Sequence, residues 1–145
     1  MPLYDVKNAG EIMTYCPASS FSFGNANAVV VRSGTVNAAD HLILNVGNTN
    51  GFYFHVAELY DSPRCMDEAG YQKYLKSDGM KELARDRVSI PDPVAALQRL
   101  EQLLGNKWMW GGLPNTCSAF VIDVLSAGGS FVGHFGLLPA VNRFD

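Results

Sequence analysis

The stretch Trp108–Gly128, WMWGGLPNTCSAFVIDVLSAG, decides the fold. It reads as an aromatic loop, a Gly-Gly pair, a cap, a cysteine and then an amphipathic helix. Asn115 or Thr116 caps that helix, because a side-chain oxygen there accepts from first-turn N–H groups that lack a helical partner. Cys117 falls in the first turn. Phe120, Val121, Val124 and Leu125 recur at three- and four-residue spacing, the mark of one buried face. Gly128 and Gly129 end the helix. The positive end of the helix dipole favours a thiolate, the nucleophilic form of cysteine. The same residue also fits a small buried core position, since cysteine is among the most buried types. Whether the chain supplies a base decides between the two.

The chain has 145 residues, which favours one domain over 1–145. Apolar residues make up 48% and charged residues 17%, a balance that fits a packed domain and excludes a disordered one. The net charge is −3 and no Lys/Arg run occurs, which argues against a nucleic-acid partner. Three cysteines, Cys16, Cys65 and Cys117, are too few and odd in number for a disulfide scaffold, and Cys16 reads as a semi-buried thiol. No C-x-x-C pair points to structural zinc. The first residues, MPLYDVKNAGEIMTYCP, carry neither a basic n-region nor a long apolar run, so no Sec-type signal peptide is expected. No apolar stretch reaches the roughly 20 residues that a membrane span requires. A soluble chain is expected, with any export using a leaderless route.

Residues 17–28, PASSFSFGNANA, read as loop with a short strand. AVVVR (28–32) reads as a central strand, HLILNV (41–46) as a second and FYFHVAEL (52–59) as a third. GNTNG (47–51) is a strong turn signal that joins the last two into a hairpin. Pairing of His41 opposite His55 or Ala57 puts both histidines on one face, and an odd-numbered loop favours that parity. Asp67–Lys76 reads as a short helix weakened by Gly70, and a second helical piece is expected near Met80–Arg85. Asp92–Leu104 is a clear helix, with Asp92 as cap, Pro93 in first position and Val94, Leu97, Leu100 and Leu104 as its apolar stripe. The tail 130–145 is apolar and Gly-rich and holds His134, whose plain reading is a satisfied or exposed residue.

Cysteine catalysis needs a thiolate, a base within hydrogen-bond reach and a polar group that orients the base. A helix N-terminus carrying Cys117, docked on a sheet face that carries His41 and His55, would supply all three. WMWGGLPNTCSAFVIDVL resembles the cysteine segment of the NlpC/P60 family of papain-like thiol hydrolases, although Thr116 stands where that family commonly has Asp. HLILNVGNTNGFYFHVAEL resembles the family's histidine hairpin. The order is reversed, with the histidines ahead of the cysteine. In this the chain is similar to the circularly permuted branch, which includes the lecithin:retinol acyltransferase-like proteins.

The resemblance implies an α+β fold, a small antiparallel sheet or half-barrel packed against the cysteine helix. It implies Cys117 as nucleophile, His41 as general base and His55 as the residue that fixes the imidazole. The Cys117 backbone N–H would join the oxyanion hole, and Trp108, Trp110, Gly111 and Gly112 would shape the substrate groove. No metal or cofactor is implied. The expected reaction is acyl transfer through a thioester, first on a peptide amide of bacterial cell-wall stem peptides. A leaderless effector acting in a rival's periplasm would suit this, with an inhibitor protein protecting the producer. The alternatives are a lipid acyl hydrolase or acyltransferase, and a binding module that has kept the fold without the activity.

Overall fold

The computed structural model describes residues 9–17, 22–33, 41–47, 51–56, 60–77, 79–105, 108–109 and 116–130. The elements are helix α1 (Ala9–Tyr15), a 3-10 turn (Ser22–Asn25), and strands β1 (Ala26–Ser33), β2 (His41–Val46), β3 (Phe52–His55), β4 (Tyr60–Asp61) and β5 (Arg64–Met66). There follow helix α2 (Glu68–Ser77), strand β6 (Met80–Val88), helix α3 (Pro93–Leu103), strand β7 (Trp108–Met109) and helix α4 (Thr116–Ala127). The fold is α+β, as the sequence implied. A five-stranded antiparallel sheet of order β5-β3-β2-β1-β6 carries helices, and β4 pairs with β7 apart from it.

Alternation along the strands gives the sheet two different faces. Leu42, Leu44 and Val46 of β2 join Ala28, Val30 and Phe54 in a core with Leu100 and Leu103 of α3 and Phe120, Val121, Val124 and Leu125 of α4. Val29, Val31, Ile43, Tyr53 and Met66 point the other way, onto Tyr71 and Tyr74 of α2. The four residues read from sequence as the buried face of α4 are each 0% exposed. A bidentate pair from Arg99 to Asp123, at 2.9 and 2.8 Å, ties α3 to α4. Exposed to about a third on both sides, it contributes little beyond orientation.

Helix α4 stops in a six-to-one arrangement, with Ser130 N–H donating to the Leu125 carbonyl and Gly129 at φ +78°. Gly128 is required for a different reason. A Cβ there would lie 2.6 Å from Ile90 Cγ2 and 2.9 Å from Ala96 Cβ. Gly128→Ala is therefore expected to lower stability by about 1–3 kcal/mol, read as a fall in the urea midpoint at unchanged slope. An unchanged midpoint would mean that the α3–α4 junction is loosely packed.

Several local expectations are corrected. Met80–Arg85 is not helical but belongs to β6. MKELARDRV is rich in helix formers, yet pairing with β1 along its whole length overrides that preference. Residues 9–15 form a helix that the sequence did not signal, and β1 starts at Ala26 rather than 28. Of the stripe read on α3, Leu97, Leu100 and Leu104 pack into the core beside Ala96 and Leu103, whereas Val94 is 53% exposed. The cap was read correctly, since Asp92 accepts from the Ala95 N–H. Cys16 is not a thiol. It is 2% exposed and bonded to Cys65, with a Cα–Cα distance of 6.5 Å. The bond fixes the end of α1 to β5, a pairing that residue counting does not reveal.

Candidate active site

The site is built on the β2–β3 hairpin. Its register pairs Leu44 with Phe54, Asn45 with Tyr53 and Val46 with Phe52, the even parity that sets His41 and His55 on one face. The strand read as 41–46 is observed with those bounds, and Gly47 enters the turn at φ +91°. The two imidazoles meet edge to face, with ring centroids 5.2 Å apart and planes at 86°. His41 Nε2 lies 3.0 Å from His55 Nδ1, so one of these nitrogens carries the shared proton and the other accepts it.

The pair is largely withdrawn from solvent on the His55 side. His55 is 4% exposed and His41, the first residue of β2, is half-buried. Desolvation lowers the His41 pKa from 6.5 to about 4. His55 is pushed well below its ordinary value by burial, then by His41 and by Arg64 on the neighbouring strand. Both rings are therefore neutral at pH 7. The unfolded chain takes up these protons near pH 6.5, whereas folded His41 takes one only near pH 4. Between those values the unfolded state holds more protons, so stability is complete above pH 6.5 and falls as pH drops toward 4. His41 alone should account for about 3 kcal/mol of that loss. A urea-midpoint series against pH should show the fall in wild type and a flatter profile in His41→Gln. Parallel profiles would mean that other groups cause the acid sensitivity.

The same face carries a polar network that the sequence reading missed. Tyr53 and Tyr71 stack at 4.0 Å between centroids. The Tyr53 hydroxyl donates to Glu68 and accepts from Arg85, and the Tyr71 hydroxyl donates to Glu82. Arg85 also bonds Glu82 at 2.9 Å. Burial, foremost, raises the Tyr53 pKa to about 12, so its hydroxyl keeps its proton. These contacts hold α2 against β3 and β6. Tyrosines three residues apart on one helix face were the available signal.

Cys117 is the second residue of α4, in its first turn, as expected, but the helix does not dock on the face that carries the histidines. Its buried stripe packs on the Leu42, Leu44 and Val46 face, while His41, Ile43 and His55 face α2. The reason is chemical. Phe120, Val121, Val124 and Leu125 offer no polar group, and the aliphatic face matches them better than one holding two imidazoles and Asn45. The C-terminal end of α4 is pinned where Asp92 N–H donates to the Gly128 carbonyl, two residues beyond Ile90. This is the Val46 end of the sheet, because Val88 pairs with Ala26 and Asn27 with Asn45. Trp108 starts β7, which pairs with β4. The side chains of Trp108 and Cys117, and all of Trp110, Gly111, Gly112, Asn115 and His134, lie outside the described residues.

Among the described residues no cluster of His, Cys, Asp or Glu is gathered as for a metal, and no helix is long and apolar enough to cross a membrane. Compared with models of known families, with curated proteins and with solved structures, the chain has no match.

Proposed function

We propose that the protein is a cysteine hydrolase that cleaves a peptide amide through a thioester, with bacterial peptidoglycan stem peptides as substrate. The observation that carries this reading is the 3.0 Å contact between His41 Nε2 and His55 Nδ1. With the Nε2 proton donated to His55, His41 Nδ1 is left unprotonated and the ring is held in one orientation. A fixed ring with one free ring nitrogen is what a general base at this position would present. The position of Cys117 adds support. Cys117 is the second residue of this 12-residue helix, where the positive end of the helix dipole favours the thiolate.

In the reaction, His41 Nδ1 takes the proton of the Cys117 thiol as sulfur attacks the carbonyl carbon of the peptide bond. The oxyanion accepts from the Cys117 backbone N–H. The C–N bond breaks, the imidazolium returns its proton to the leaving amine, and a thioester remains. Water then attacks with His41 again as base, releasing the acid and restoring the thiol. A neutral His41 at rest keeps the thiol protonated until substrate arrives, so attack and proton transfer are coupled. The buried Cys16–Cys65 disulfide fits a protein that matures or works in an oxidising compartment such as the periplasm.

The test is mass spectrometry of products after incubation with purified sacculi and, separately, with phospholipid vesicles, comparing wild type with Cys117→Ala. New peptides and free amines from sacculi, absent with the variant, are expected. Lysolipid and fatty acid from vesicles alone would move the substrate class to lipid esters. No product from either would leave a binding module.

A further inference from the structure

The imidazole pair has a third neighbour. Tyr74, on α2 and 7% exposed, has its ring centroid 5.3 Å from that of His55 and 6.4 Å from that of His41, tilted at 57° and 45°. Tyr71, three residues earlier, stands 6.5 Å behind it at 25° and is anchored by its own stack on Tyr53. A row of aromatic rings thus runs from the anchored end of α2 to the histidines.

We propose that Tyr74 is a positioning residue: its ring, braced by Tyr71, holds the two imidazoles edge to face and keeps water out of the hydrogen bond between them. As a role in catalysis this rests on the thiol-hydrolase reading. As a hold on the pair, it is testable without any substrate. The geometry demands something of this kind. A hydrogen bond between two neutral rings is weak and is easily replaced by bonds to water, so it persists only where water is excluded. Sheet and hairpin cover the pair from one side, and Tyr74 covers it from the α2 side. Arg64 faces it from β5, and the charges of α2 and β6 nearest the aromatic row, Glu68, Glu82 and Arg85, are engaged with Tyr53 and Tyr71.

Histidine titration followed by NMR on the substrate-free protein tests this directly. In Tyr74→Leu, which keeps an apolar side chain but loses the ring, the His41 midpoint should rise from about 4 toward 6.5 and the two histidines should titrate independently. Tyr74→Phe should behave as wild type. A folded Tyr74→Leu protein with both midpoints unmoved would overturn the proposal. So would the absence, in the unsubstituted protein, of any nuclear Overhauser contact between the Tyr74 ring and His55, a measurement that needs no variant to fold. If the sacculus assay succeeds, Tyr74→Leu should lower kcat by about 10- to 100-fold at unchanged KM and move the acid limb of the pH profile upward. No product from either sacculi or vesicles, beside shifted titrations, would refute the hydrolase reading and leave the hold of Tyr74 on the pair standing.

Discussion

Cys117→Ala should abolish peptide release from sacculi, with a loss of at least about 10⁴-fold in rate, because the proposed reaction has its acyl-enzyme on that sulfur. His41→Ala should cost nearly as much, since without the base the thiol stays protonated. His55→Ala should cost less, about 10²–10⁴-fold, because His41 then remains but turns freely. These losses are not additive, and the double variant should resemble Cys117→Ala alone. Alkylation gives an independent reading. Cys16 and Cys65 are consumed by their disulfide, so iodoacetamide should label the native chain once, at Cys117. His41→Ala should slow that labelling. Labelling as slow as that of an unactivated thiol and indifferent to His41, together with an undiminished product yield in Cys117→Ala, would remove the assignment.

Loss of the Cys16–Cys65 bond should be the largest effect on stability. The two cysteines are 49 residues apart, and the segment between them contains β1, β2 and β3 with both histidines. Closing a loop of that size in the unfolded chain corresponds to about 4 kcal/mol. For a domain of this length, that is a fall of about 10–15 °C in Tm. The Cys16→Ser/Cys65→Ser double variant should show it. Wild type should show it too, once reduced under denaturing conditions and refolded with the thiols blocked. Both sulfurs are buried, so the native protein should resist mild reductant. A double variant as stable as wild type would show that the sheet holds its inner strands without the tether. The histidine pair sits inside the tethered loop, so a destabilised variant should also lose activity at a lower temperature than wild type.

Much of the framework was legible in the residues themselves. HLILNV ahead of GNTNG gave the bounds of β2 and the parity that sets His41 beside His55. The four-residue stripe of α4, the Asp92 cap of α3 and the glycines that close α4 followed from spacing and backbone freedom. These are local properties: a pleat alternates every second residue, and a helix face repeats every three or four. What needed the tertiary structure was which surfaces meet. MKELARDRV becomes a strand because β1 presents an open edge to it. Cys16 finds Cys65 because the end of α1 and β5 contribute to one core. Tyr74 reaches the histidines because its helix closes the polar side of the sheet. Helix α4 takes the aliphatic side rather than the side of the imidazoles. Each choice depends on the free energy of contact between elements distant in the chain, a quantity that no short window of sequence contains.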